Sequence, residues 1–255
     1  MELKKVIGMI SWFPNDYRRA SRIEQVQKTF DQLGELFPTL PIMIIAQNWQ
    51  DAQFAIKNQI IMYKYADGLG ILGARKELRK RFLQSQYDYL IMVDDDIMIH
   101  SDSKETIKEY LRRIDNNPIG FACVKKDNSV SNRRSNHSYQ PYAMAELNLC
   151  TISRFIYEQE PMVEIDATKG ECYEDGVFSA LLHYKWGRYE WDIPEGLYHE
   201  QYCNDDNRAI STWYKAFEGT KERIMSRRYY CLLLYIREHH DLPPEFLQYI
   251  LKTIN

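Results

Sequence analysis

Short apolar runs alternate with longer amphipathic ones along the N-terminal half of the chain. Val6-Ile7-Gly8-Met9-Ile10 is compact and partly β-branched, and Phe13-Pro14-Asn15-Asp16 closes it, which predicts a buried strand ending in a turn. Ser21 to Leu36 places Ile23, Val26, Phe30 and Leu33 near helical spacing and stops at Gly34 and Pro38, which predicts a helix. Pro41 to Ala46 reads as a second buried strand followed by polar Gln47-Asn48. A helical pattern is expected from Asp51, broken at Asp67-Gly68-Leu69-Gly70 and resumed from Gly73 to Ser85. Tyr89-Leu90-Ile91-Met92-Val93 is a third strand, running directly into Asp94-Asp95-Asp96.

Beyond it, Ile119 to Val124 predicts another strand, Lys125 to Gln140 a polar loop, and Leu149 to Glu158 and Glu174 to Tyr184 two helices. Arg188 to Tyr214 is irregular and polar. A basic-aromatic helix is expected from about Lys221, then a stop at Pro243-Pro244 and a last short helix. Strands alternating with helices imply an α/β fold with a mostly parallel sheet flanked by helices. In such sheets ligands bind beyond the carboxyl ends of the strands, so the polar residues there become the candidates.

Composition narrows the classes of function. The 255 residues are 45% hydrophobic and 27% charged, and a net charge of -3 gives no overall pull toward nucleic acid or anionic membrane. No apolar run reaches the roughly 20 residues of a membrane span. Met1-Glu2-Leu3-Lys4-Lys5 lacks the features of a signal peptide. Cys123, Cys150, Cys172, Cys203 and Cys231 are scattered, without a CxxC pair, so a zinc site or disulfide framework is not expected and a cytoplasmic location is.

The triplet Asp94-Asp95-Asp96 carries the most chemistry. Three adjacent carboxylates repel one another, and no strand or helix propensity asks for them. Taken alone, an acidic run is commonly a solvated turn. This one abuts an apolar strand and is followed by Ile97-Met98-Ile99, which places it at a sheet edge. A hard dication such as Mn²⁺ or Mg²⁺, with substrate phosphates, would offset the charge. Side chains alternate in extended chain, so Asp94 and Asp96 point one way and Asp95 the other.

Strand, acidic triplet, and the preceding Gly73-Ala74-Arg75-Lys76-Glu77-Leu78 at a helix start together resemble the nucleotide-sugar-binding half of GT-A-fold glycosyltransferases of the family-2-like group. The resemblance spans roughly residues 4 to 200, with Lys76 where the family usually has Asn. It implies a GT-A catalytic domain over 1–215, with a donor nucleotide half over 1–100 and an acceptor half over 101–215, and a C-terminal helical extension over 216–255. It further implies that Asp96 coordinates the metal holding the donor diphosphate and that Asp94 reaches the ribose, the sugar or the same metal. Asp95 is grouped with the donor-binding residues. Arg75 would lie near the diphosphate or the transferred sugar, where a planar guanidinium suits phosphate oxygens. Ser11, Trp12 and Phe13, with Gln47 and Asn48, would receive the nucleobase by stacking and edge hydrogen bonds. Arg18, Arg19 and Arg22 read as surface charges or as help to that pocket.

The resemblance continues at Glu174-Asp175, an acidic pair at a helix start. In the inverting members one carboxylate of such a pair removes the acceptor proton. Acidic residues also favour helix N-termini for dipole reasons, so Glu174 suits a cap or acceptor contact and Asp175 the base. His199 follows at the interval where many GT-A enzymes place a metal-binding histidine. The expected activity is metal-dependent transfer of a sugar from a nucleotide-sugar donor, a UDP-sugar by family frequency, to a saccharide, cell-envelope or other hydroxyl acceptor, with inversion.

Three alternatives stay open. A sugar nucleotidyltransferase also pairs aspartates with a metal, but usually carries a Gly-rich loop where this chain has Ser-Trp-Phe-Pro-Asn. A non-catalytic Ca²⁺-binding protein lacks support from the ligand spacing. The basic stretches Asn132-Arg133-Arg134 and Lys221 to Arg228 admit a nucleic-acid acceptor such as modified DNA bases, although charged surface helices explain them better and a saccharide or cell-envelope acceptor stays the default.

Overall fold

The computed structural model describes residues 3–13, 15, 17, 19–50, 52–66, 68–99, 103–114, 117, 119–122, 149–159, 190–192, 197–199, 244 and 248. Strands β1 (Lys5–Trp12), β2 (Ile42–Gln47), β3 (Ile60–Tyr65) and β4 (Tyr89–Val93) interleave with helices α1 (Arg19–Leu36) and α2 (Gly70–Leu83). There follow β5 (Ile97–Ile99), α3 (Lys104–Arg113), β6 (Ile119–Ala122), β7 (Leu149–Ser153), α4 (Arg154–Gln159), β8 (Glu190–Asp192) and β9 (Leu197–His199).

Seven strands form one sheet in the order β3-β2-β1-β4-β7-β6-β8, and β5 pairs with β9 in a separate ribbon. β3, β2, β1 and β4 run parallel. β7 is antiparallel to β4 and to β6, and β8 is parallel to β6, so among the described strands of this sheet β7 alone opposes the common direction. The α/β, mostly parallel architecture is the one expected.

Alternation along the strands sorts the core into two layers. Ile7, Met9, Ile44, Ile91 and Val93 pack with Val26, Phe30 and Leu33 of α1 and Ile107 and Tyr110 of α3. Val6, Met43, Ile45, Leu90 and Met92 pack with Ala74, Leu78 and Phe82 of α2 and Ile156 and Tyr157 of α4. Burial on both faces explains why β4 is apolar throughout and β2 is apolar up to its last residue, Gln47. Gly8 has a specific reason to be glycine: a Cβ there would stand 2.6 Å from Leu90 Cδ1 and 3.0 Å from Leu78 Cδ2, where α2 closes on the sheet.

Three local expectations are corrected. The helix expected from Asp51 is absent: residues 52–57 are irregular and Ile60–Tyr65 is strand β3, paired residue for residue with β2. Ile-Ile-Met-Tyr-Lys-Tyr favours a pleated surface, and the parallel neighbour supplies the ladder. The segment from Leu149 to Glu158 is a strand before it is a helix, because Leu149–Ser153 is wholly buried between β4 and β6. The irregular stretch after Arg188 contains β8 and β9. Helix α3, with Ile107, Tyr110 and Leu111 buried, adds an element to those the sequence pattern predicts. The segments 125–140 and 174–184 and the basic-aromatic helix from about Lys221 lie outside the described residues. No helix among the described residues is long and apolar enough to cross a membrane.

Candidate functional site

Parallel pairing brings the carboxyl ends of β1, β2, β3 and β4 to one edge of the sheet. Trp12 stands level with Gln47, and Gln47 with Tyr65. The β1–β4 pairing runs as far as Gly8 opposite Met92, and beyond it the Ser11 hydroxyl comes near the Asp95 carboxyl. The edge therefore collects Ser11 to Phe13, Gln47-Asn48 and the acidic triplet, and helices α1 and α2 begin on the same side.

At the β1–β2 corner, Asn48 has a left-handed backbone (φ 54°), a conformation that Asn tolerates better than most residues. In the amide orientation that satisfies both ends, Asn48 donates to the Ala66 carbonyl and accepts from Trp12 Nε1 at 3.1 Å. Gln47 Oε1 accepts from Leu69 N at 2.5 Å, tying the loop that enters α2 to the end of β2. Arg19 donates to the carbonyls of Asn48, at 3.0 Å, and Gln50, holding the next loop.

The expected nucleobase residues thus divide. Trp12 is half-buried at the edge, and Gly68 lies against its indole. The Phe13 ring is fully buried, 5.3 Å from Trp49 and 5.8 Å from Phe54 between ring centroids. Its surface is used by the core. Gln47 is likewise buried and engaged with the backbone.

The chain turns at Asp95-Asp96 between β4 and β5. Asp94 and Asp96 are half-buried, whereas Asp95 is 6% exposed and faces α1. Arg22 of α1 forms an ion pair with Asp95 Oδ1 and donates to Gln25 Oε1 at 2.8 Å. Thr29 Oγ1 donates to the Asp95 carbonyl at 3.1 Å. Burial pushes the Asp95 carboxyl up to about 6; Arg22 opposes the shift, and the neighbouring Asp96 charge adds to it. The Ser11 hydroxyl faces the same carboxyl and lowers its pKa, although their geometry falls short of a hydrogen bond. Asp95 Oδ2 is buried with no hydrogen-bond partner.

Arg75 sits on the opposite layer. It is 6% exposed, close to the Cys150 thiol and the Tyr157 hydroxyl. Burial drives both of those groups up, with Arg75 opposing, and Tyr157 donates to Met92 Sδ at 3.1 Å. The Cys150 thiol is therefore held protonated and inert.

His199 enters through the backbone: β9 is antiparallel to β5 with His199 opposite Ile97, the residue after the triplet. Among the described residues, no group of three His, Cys, Asp or Glu side chains gathers as a metal cage. Glu174 and Asp175 lie outside the described residues. The residue that sequence reasoning undervalued is Arg22, grouped there with surface charges; its spacing with buried Gln25 and Thr29 on one helix face was the available signal.

No protein-family model matches the chain, and no curated protein sequence matches it. Solved structures do. The S. aureus TarS fragment 1–349 in complex with UDP-GlcNAc superposes with a TM-score of 0.56 over 99% of this chain and 72% of that one, at 13% identity. The same fragment, in a second crystal structure, gives a TM-score of 0.53 over 92% of this chain and 72% of that one, at 11% identity. At such identities the likeness concerns the fold. The chain has a GT-A-like α/β fold.

Proposed function

We propose that the chain is a metal-dependent glycosyltransferase that moves a sugar from a UDP-sugar to a hydroxyl acceptor, a saccharide or cell-envelope component. The observation that carries this reading is the convergence of Trp12, Asn48 and the acidic turn 94–96 on the carboxyl edge of four parallel strands. A nucleotide diphosphate needs an aromatic and amide corner for its base and a cation to offset its phosphates; this edge offers the corner and the carboxylates that would hold such a cation. That a structure sharing the fold holds UDP-GlcNAc supports a UDP-sugar donor.

The donor set suits a hard dication. Asp94 and Asp96 supply two half-buried carboxylates, and the Asp96 charge already burdens Asp95, so a cation would relieve local repulsion. Asp96 and Asp94 would hold Mn²⁺ or Mg²⁺, with His199 as third ligand from the paired ribbon. When bound, the metal offsets negative charge on the leaving diphosphate. Trp12 offers its indole to the base, with Asn48 holding the Trp12 N–H in place. Phe13, Gln47 and Ser11 support this corner from within the fold. Arg75, a residue of α2, is buried beside the Cys150 thiol and the Tyr157 hydroxyl and supports the edge from that layer. Asp175 acts as general base on the acceptor hydroxyl and Glu174 as its neighbour, which gives inversion at the anomeric carbon. Product NMR reads that stereochemistry directly.

A thermal-shift panel of nucleoside diphosphates with and without Mn²⁺ tests the reading. UDP with Mn²⁺ should stabilise the chain more than either alone, since a ligand at about 100 times its Kd adds roughly 2.7 kcal/mol. Turnover must then release UDP. Release of pyrophosphate would instead identify a nucleotidyltransferase.

A further inference from the structure

Helix α1 carries a polar stripe on a face that is otherwise core. Gln25 and Thr29 are each 2% exposed, interleaved with buried Val26, Phe30 and Leu33. Burying such groups is costly unless each meets a partner. Thr29 bonds the segment after β4 directly, and Gln25 reaches it by way of Arg22. Arg22 holds the Asp95 carboxylate and is itself fixed by Gln25 Oε1 at 2.8 Å. Thr29 Oγ1 donates to the Asp95 carbonyl at 3.1 Å and approaches the Ile97 carbonyl at 3.5 Å. Gln32 Oε1 accepts from Ile99 N at 2.7 Å. Residues 22, 25, 29 and 32 follow helical spacing, so one face of α1 grips the chain from Asp95 to Ile99.

We infer that Arg22 is a positioning residue of the donor site: through its ion pair with Asp95, and with Thr29 and Gln32 below it, α1 fixes the turn that presents Asp96 and aligns β5 for pairing with β9. The inference rests on the proposed function, because it gives the turn a ligand to be positioned for. Asp95 then has a task distinct from its two neighbours. It is the anchor, buried and turned away, while Asp94 and Asp96 remain at the edge. Arginine is suited to this use, since its planar fork engages Asp95 and Gln25 together where lysine reaches one point.

The test measures the Kd of Mn²⁺ in the presence of UDP, and amide hydrogen exchange across residues 94–99, for the full chain. Arg22→Ala should weaken Mn²⁺ binding about 10- to 100-fold, the usual effect of losing a partner that orients a metal ligand. Exchange across 94–99 should quicken by a similar factor, and Arg22→Lys should fall between. Arg112→Ala, at an exposed position of α3, should match wild type. If Arg22→Ala does not fold, Arg22→Lys decides: a raised Kd with a native far-UV spectrum supports the inference, and an unchanged Kd overturns it. Wild type and a folded Arg22→Ala binding Mn²⁺ and UDP equally would overturn the inference alone. Wild type binding neither overturns the functional reading and this inference with it.

Discussion

His199 stands opposite Ile97 in the antiparallel ribbon of β5 and β9, so a residue a hundred positions downstream returns to the backbone beside the acidic triplet. Sequence spacing alone does not bring them together; strand pairing does. If the imidazole completes the metal site, His199→Ala should raise the Mn²⁺ concentration for half-maximal activity about tenfold, with kcat at saturating Mn²⁺ nearly kept. A metal titration of activity checks it, and an unchanged midpoint would remove His199 from the site.

Asp95 makes a pH-dependent contribution with an unusual sign. Its folded carboxyl titrates at about 6, above the unfolded value near 3.8, because burial and Asp96 outweigh Arg22. Between those values the folded chain binds more protons than the unfolded one, so stability falls as pH rises from about 4 through about 6. Asp95→Asn should flatten this slope in metal-free buffer, while leaving the Arg22 guanidinium without its buried counter-charge. Urea melts across pH measure it; a slope unchanged in the variant would contradict the account.

Asn48 joins a left-handed backbone to a two-ended amide link. Asn48→Gly relieves the backbone but loses the link, whereas Asn48→Ala also takes on the backbone cost of about 1–2 kcal/mol. Both should weaken UDP binding, and denaturant unfolding should place alanine below glycine in stability. Equal stabilities would show that φ at this position carries no cost.

Trp12 and Phe13 are neighbours with opposite expectations. Phe13→Ala removes a ring from the cluster with Trp49, Phe54 and Phe30 and should cost about 3–5 kcal/mol. Phe13→Leu keeps most of the volume and should leave the Kd for UDP near wild type. Trp12→Ala should do the reverse, weakening UDP by about 1–3 kcal/mol, the scale of base stacking, with a smaller loss of stability. Calorimetry and denaturant melts separate the two.

The strand–triplet junction was legible because an apolar run ending in three carboxylates has few structural explanations. β1, β2, α1 and α2 were legible because their apolar periods are clean, and Pro14 and Pro38 mark the ends of β1 and α1. β3 was misread since Ile60 to Tyr65 lacks alternation until β2 is beside it. β7 was read as helix because its five buried residues join α4 without a break, and burial between β4 and β6 is a tertiary fact. At the site, residue types pointed to the correct edge but did not separate contact from support. Phe13, Gln47 and Asp95 sit at that edge with their side chains spent on the fold, which depends on which face of a strand each occupies. Arg22 was hidden by its company, since Arg18 and Arg19 made it look like surface charge.

The central claim is that a dication and a diphosphate meet at residues 94–96. Crystals grown with UDP and Mn²⁺, measured for manganese anomalous scattering, test it most directly. The account predicts one strong peak between the Asp96 carboxylate and the diphosphate, lost in Asp96→Asn. UDP ordered elsewhere, with no peak at the acidic turn, would contradict it.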